Sequence, residues 1–256
     1  MKEDRHFVTA LARGLSVLAC FRSSDRVLSN QEIATRCRLA KSTVSRLTYT
    51  LTRLGYLVQL HDDGRYALGT ATLSLGSAML ARLNVRALAR PAMQALADFS
   101  QATVSMGTYA QLHMIYVEHC RSHAALTLSL DVGSRIPVAT SAIGRADLAA
   151  LEQPARRDIL DQVRDADKAH WPRARAGVNR ALEEYAELGC CCSFGEWQPD
   201  VNGIAVHFLQ GDGLAPMALN CGGLASSLSP KFLLKEVRPR LIRVAKDLEE
   251  ALGTRS

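Results

Sequence analysis

Apolar residues recur at helical spacing along the first quarter of the chain. Val8, Leu11, Leu15 and Leu18 step by three and four through residues 8–20 and predict an apolar stripe along a first helix. Ser29-Asn30-Gln31-Glu32 has the form of a capping box, in which the Ser29 hydroxyl accepts from the Glu32 amide and the Glu32 carboxylate reaches back to Ser29. A second helix starts there, turns Ile33 and Ala34 inward and runs out near Cys37-Arg38. After a short turn a third helix covers about Lys41 to Leu54, with Val44, Leu47, Leu51 and Leu54 as its apolar stripe and Ser42, Thr43, Ser45, Arg46 and Tyr49 on other faces. Two β-prone runs follow, Tyr56 to Leu60 and Arg65 to Leu68, around a turn at Asp63-Gly64. Helix, tight turn, helix and hairpin together predict a winged helix-turn-helix over residues 1–69.

The polar face of the third helix suits insertion into a major groove. Small hydroxyl side chains let a helix sink in, and a long arginine reaches a guanine edge or a phosphate. Ser42, Thr43, Ser45 and Arg46 would then meet the groove, with Lys41, Tyr49 and Arg65 on phosphates; Arg65 or His61 on the wing could reach the backbone or the neighbouring minor groove. A solvated face would show the same pattern. Charge shifts the balance, because residues 1–68 hold 11 Lys and Arg against 6 Asp and Glu, while the remaining residues are nearly neutral within a total of +6. A basic head on a neutral body fits a polyanionic partner.

Residues 70–83 are helix-prone, apolar but for Arg82, and lack the Pro or Ser/Gly content of a flexible linker, which predicts a stiff connecting helix. Residues 84–256 then form the second domain. A helix spans about Val85 to Ser100, and β-prone stretches lie near 103–109, 113–119, 125–130, 203–209 and 216–221. Helical segments near 141–151, 154–163, 178–188 and 230–252 fall among and after them, which predicts an α+β domain on a mostly antiparallel sheet. Thr140-Ser141-Ala142-Ile143-Gly144 opens one of these helices. Free amides at a helix start beside little side-chain bulk make a cradle for a carboxylate, although an ordinary capped helix reads the same way.

Composition narrows the remaining choices. With 48% apolar and 22% charged residues and a mean hydropathy near zero, the chain reads as a globular, non-membrane protein. No run of 18 apolar residues occurs, and charges of both signs at the start argue against a signal peptide, so cytoplasm is the expected compartment. Seven cysteines without a Cys-x-x-Cys pair suggest neither a disulfide framework nor a metal site, and no cofactor motif is present. The run Cys190 to Cys192 supports an alternative, a redox-sensing regulator, although successive residues of a strand face opposite ways. A third reading, an enzyme using Cys221 with His207, has no motif behind it.

Several short stretches together resemble the IclR-type transcriptional regulators. They are Ala12-Arg13-Gly14-Leu15-Ser16-Val17-Leu18, Leu39-Ala40-Lys41-Ser42-Thr43-Val44-Ser45-Arg46-Leu47, Leu54-Gly55-Tyr56-Leu57, Gly133-Ser134-Arg135-Ile136-Pro137 and Thr140-Ser141-Ala142-Ile143-Gly144-Arg145-Ala146. The resemblance covers almost the whole chain. Ala40 stands where the family often has proline, and Ser193-Phe194 replace a usual acidic pair. The resemblance implies a GAF/PAS-like effector-binding and oligomerisation domain with a ligand cavity, and no catalytic activity. In similar proteins the loop at Ser141, Ala142, Ile143 and Gly144 lines that cavity, and Tyr116, Trp197, Asn202, Asn220 and Cys221 are further candidate contacts. Gly203 and Asn220-Cys221-Gly222-Gly223 stand where the family has a cysteine and a serine-rich strand end, which suggests a roomier, less charged pocket. Such a pocket favours an aromatic or medium-sized organic acid over a two-carbon acid. Two or four chains would associate on a roughly two-fold operator in double-stranded DNA, as repressor or activator.

Overall fold

In the computed structural model, which describes residues 6–22, 25–60, 64–122, 130–211 and 214–253, the chain divides into two units, Met1–Arg82 and Leu83–Ser256. The first unit holds α1 (Thr9–Ala19), α2 (Asn30–Cys37) and α3 (Lys41–Arg53). Capping fixes where α2 starts: the Glu32 amide donates to Ser29 Oγ at 3.2 Å, and the Ser29 amide donates to the Glu32 carboxylate at 2.7 Å. It stops at Arg38, whose φ of 54° breaks the helix and turns the chain toward α3.

The wing is β1 (Leu57–Gln59) and β2 (Tyr66–Leu68), antiparallel, with Leu57 opposite Leu68. His61 and Asp63 lie outside the described residues. Val17, Phe21, Leu28, Ile33, Val44, Leu57 and Tyr66 form the core of this unit.

Two expectations about its helices are corrected. Of the expected stripe Leu18 packs against the core, but Val8, Leu11 and Leu15 are 57 to 61% exposed; α1 packs through Gly14, which lies against Leu47, and Val17, with Phe21 just beyond its end. A helix with two apolar stripes does not reveal by spacing which one faces inward. Likewise Leu54 is exposed and Thr48 is buried in α3, its hydroxyl satisfied by the Val44 carbonyl at 3.0 Å. Next comes α4 (Thr70–Ala81), in which no residue is buried and Leu73, Leu75 and Met79 are exposed.

The second unit opens with α5 (Asn84–Ser100), β3 (Thr103–Ala110), β4 (His113–Arg121) and β5 (Arg135–Pro137). After α6 (Ala142–Ala150), α7 (Gln153–Ala166) and α8 (Trp171–Leu188) come β6 (Cys191–Phe194), β7 (Val201–Phe208) and β8 (Met217–Leu224). The chain ends with α9 (Pro230–Phe232), a π-helical turn (Leu233–Val237) and α10 (Arg238–Ala251). The strands form one six-stranded sheet in the order β5-β4-β3-β8-β7-β6, every neighbouring pair antiparallel. Strands β5 and β6 were not among the expected stretches, and of the expected strand at 125–130 residues 125–129 lie outside the described residues.

Helices α5 and α10 cover one face of the sheet, and α6 and α8 the other. A β-bulge in β4 decides which residues look toward α6. Met106 pairs with Glu118 but Gly107 pairs with Tyr116, so Val117 is an extra residue. Tyr116 and His119 thereby share the α6 face, with ring centroids 5.8 Å apart, while Glu118 turns to Arg86 and Arg90 of α5.

Candidate functional site

On the first unit, Lys41, Ser42, Ser45, Arg46 and Tyr49 are exposed on α3, Thr43 is half-buried, and Arg65 is exposed on the wing. Val44 and Thr48 anchor the opposite side of the helix in the core. Ser45 is more committed than its sequence suggests: its hydroxyl donates to the Lys41 carbonyl and accepts from Asn30 Nδ2, both at 3.0 Å. Asn30, which braces α3 from the first turn of α2, was not among the expected residues.

On the second unit, a cavity of about 30 Å³ lies between the sheet and the start of α6. It brings together seven candidates: Tyr116, Ser141, Ala142, Ile143, Trp197, Asn202 and Asn220. Ser141 caps α6 by accepting from the Gly144 amide at 3.2 Å, and helix geometry leaves the amides of Ala142 and Ile143 without an intrahelical acceptor. Gly144 is spent on packing, since a Cβ there would lie 2.2 Å from the Val138 carbonyl oxygen.

Cys221 is not at the cavity. Side chains alternate along β8, so Asn220 faces α6 while Cys221 points to the other face, its Sγ 3.5 Å from Ser100 Oγ of α5. The sheet also separates Cys221 from His207, which hydrogen-bonds Tyr185 at 2.5 Å. Asn202 lines the cavity, but its Nδ2 donates to the Leu228 carbonyl at 3.0 Å.

A polar row crosses the sheet beneath this cavity. The Tyr116 hydroxyl meets Ser105 and Asn220, and burial pushes it up to about 12, so it stays neutral. Ser105 Oγ lies 2.7 Å from His119 Nδ1, and burial holds that imidazole below its ordinary value. Asn220 Oδ1 and His119 Nε2 are buried without a hydrogen-bond partner among the described residues. Ser105 and His119 escaped the sequence reading because their alignment with Tyr116 depends on the bulge.

The anchor of α6 is Arg145, 2% exposed. Its guanidinium donates to the carbonyls of Ala139 (3.1 Å) and Cys192 (2.9 Å) and to both oxygens of Glu196 (3.1 and 2.8 Å). Burial raises the Glu196 carboxyl, but Arg145 and Arg180 outweigh it and hold the group below its usual range. The expected roominess is absent from the inner cavity, which has space for about one water. A larger cavity of about 500 Å³ adjoins Val138, Arg145, Trp171 and Arg173, and Trp197 lines both.

Cys190, Cys191 and Cys192 are all buried. Cys191 Sγ bonds the Ala181 carbonyl at 3.3 Å, and Cys190 and Cys192 interact with each other. Among the described residues no group of three or more His, Cys, Asp or Glu is placed to hold a metal ion, and no helix is long and apolar enough to cross a membrane.

Two family models match the chain: the IclR helix-turn-helix domain over residues 10–61 and the bacterial transcriptional regulator IclR C-terminal domain over residues 77–250. The chain belongs to the IclR family. It is a DNA-binding transcriptional regulator and not an enzyme.

The HTH-type transcriptional regulator TsaQ1/TsaQ2 of Comamonas testosteroni is 32% identical over 94% of this chain and 87% of its own length. A solved IclR family regulator from Brucella abortus is 43% identical, with a TM-score of 0.87, over 98% of this chain and 94% of that one. An IclR homolog from Microbacterium hydrocarbonoxydans, solved with 4-hydroxybenzoate, has a TM-score of 0.69 at 22% identity, over 94% of this chain and 99% of that one. At that identity it shares the fold. The comparisons also bear out the α+β architecture with an N-terminal helix-turn-helix.

Proposed function

We propose that this regulator acts in the cytoplasm on a roughly two-fold operator and that a small organic acid in the inner cavity of the second unit modulates its binding. Residues 1–69 read DNA, residues 70–83 connect, and residues 84–256 bind the effector. Ser42, Thr43, Ser45 and Arg46 meet base edges, and Lys41, Tyr49 and Arg65 meet phosphates.

The observation that carries the effector reading is one cavity lined by Ala142 and Ile143, whose amides have no intrahelical acceptor, and by Asn220, whose side-chain oxygen is orphaned. The amides suit a carboxylate, and the oxygen suits a hydrogen-bond donor on the same ligand. Half-buried Trp197 must swing aside to admit it, which opens the inner space toward the larger cavity. An aromatic acid fits an opening walled by tryptophan and tyrosine. The 4-hydroxybenzoate held by the Microbacterium relative supports that class.

Self-association completes the reading, with the exposed apolar residues of α1 and α4 as the surfaces that a second copy covers. The test is operator affinity by fluorescence anisotropy, titrated with benzoate and 4-hydroxybenzoate. Asn220→Leu should abolish the response to the acid and leave ligand-free operator binding intact. Arg46→Ala should cost about 1–3 kcal/mol of operator binding if it reads a base, and should lower the salt slope if it meets only phosphate. An operator affinity indifferent to every acid tried would refute the effector reading. Equal affinity of the wild type for operator and random duplex would refute base readout.

A further inference from the structure

Five of the seven cysteines, at 120, 190, 191, 192 and 221, are buried; Cys20 and Cys37 are partly exposed, and they are neighbours in the DNA-binding unit. Cys20 closes α1 and Cys37 ends α2. Cys37 Sγ donates to the Ser16 carbonyl at 3.5 Å, the same carbonyl that accepts the Cys20 amide at 3.0 Å, so one acceptor gathers both cysteines. Arg36 locks the frame around them: its guanidinium donates to the Cys20 carbonyl at 3.0 Å and pairs with Asp25. Both cysteines pack at the margin of the core of this unit, within reach of solvent.

We propose that Cys20 and Cys37 are a modification site, a dithiol that hydroperoxides convert reversibly to a disulfide tying α1 to α2. The Cys37 thiolate attacks the peroxide O–O bond, forming a sulfenic acid and releasing the other oxygen as water or an alcohol once protonated. The Cys20 sulfur then attacks the sulfenic sulfur, an S–S bond forms, the S–O bond breaks, and the departing hydroxide takes the Cys20 thiol proton and leaves as water. The two sulfurs supply both electrons, and the peroxide takes them. Burial and the adjacent Cys37 push the Cys20 thiol up to about 12, so Cys20 is protonated at neutral pH and does not start the reaction. Exchange with a small thiol reverses the bond.

The bond has a consequence for DNA binding. An S–S length of about 2.05 Å is far shorter than any non-bonded sulfur contact, so closure draws the end of α2 onto α1. Helix α3 begins just beyond Cys37, across the left-handed turn at Arg38, and shifts with it. Operator affinity falls on oxidation.

The experiment uses the reduced full-length chain treated with hydrogen peroxide, alkylated and digested with trypsin, which cuts at Arg22, Arg26 and Arg36 between the two cysteines. Affinity is read in parallel on a duplex selected from a random pool by the reduced protein. The expected results are a Cys20–Cys37 cross-linked peptide, affinity about fivefold or more weaker, and recovery with dithiothreitol. Cys37→Ser should lose both effects. Cys20→Ser should stop at a sulfenic acid on Cys37 that dimedone traps, with melting curves confirming that each variant folds. Full alkylation of Cys20 and Cys37 after peroxide, linkage through other cysteines instead, or a cross-linked protein with unchanged affinity would each overturn the proposal. The peptide map of the unmutated chain decides the linkage by itself if a variant does not fold.

Discussion

Gly144 stands in the first turn of α6, where the Val138 backbone crosses it. A Cβ there would lie 2.2 Å from the Val138 oxygen and 2.4 Å from its Cα, and neither atom can yield by a rotamer change. Gly144→Ala should therefore cost about 3 kcal/mol, read as a lower urea midpoint of the full chain. An unchanged midpoint would mean that the loop moves freely and that the close approach is not essential. The sequence made this turn a candidate anion cradle or an ordinary capped helix start, and Ser141 does cap the helix there. Spacing could not say that Gly144 serves the packing while Ala142 and Ile143 face the cavity. Nor could it assign Cys221, because which residues of a strand face a cavity depends on a register that only the assembled sheet sets. The bulge at Val117 hides Ser105 and His119 for the same reason: an unbroken alternation would put Tyr116 and His119 on opposite faces.

Helices show a similar split between what is local and what is tertiary. The boundaries of α2 follow from its capping box and the turn at Arg38, both encoded within a few residues, so they were legible. Ser29→Ala removes the hydroxyl that receives the Glu32 amide and should lower the stability of the DNA-binding unit by about 1 kcal/mol, measured by denaturant titration of residues 1–82 or of the full chain. The inward face of α1 was not legible, because its outer stripe is as apolar as its inner one. That outer stripe and the unburied leucines of α4 lead to a sharper expectation. Leu11→Asp combined with Leu73→Asp should leave helix content unchanged, since both side chains are exposed. In the proposed assembly the pair should shift the chain toward monomer in sedimentation velocity and weaken operator binding, because charges would have to be desolvated there. A double variant that associates as the wild type does would place the interface elsewhere. Strand β6 illustrates a different kind of illegibility. Cys191-Cys192-Ser193-Phe194 has little β-branched content, and its pairing with β7 rather than its propensity makes it a strand.

Across the whole molecule, α6 is the helix in which cavity, core and buried charge meet. Seven of its nine residues are buried, including Arg145 and Asp147. Arg145 has Glu196, whereas the Asp147 carboxyl is shifted by burial alone, up to about 6. The folded chain therefore holds the Asp147 proton more tightly than the unfolded chain does, where an aspartate titrates near about 3.9. Below that pH both states are protonated and Asp147 costs nothing. As pH rises toward about 6 the unfolded state ionises first, and above it the fold must carry a buried carboxylate, a penalty on the order of 3 kcal/mol. Asp147→Asn removes the titration. Urea midpoints measured from pH 4 to pH 8 should show the variant level with the wild type at the acid end and progressively more stable above it, with the difference saturating past about pH 6. A difference that stays constant across the range would mean that Asp147 keeps an ordinary carboxylate pKa in the folded chain. Other groups titrate equally in both proteins, so the difference curve isolates this carboxyl. Because the same helix presents the Ala142 and Ile143 amides, the affinity for an organic acid measured on the two proteins across that range tests whether strain at Asp147 reaches the cavity. An aspartate penalty confined to stability would leave the two affinities parallel, whereas one transmitted along α6 would make them diverge above about pH 6.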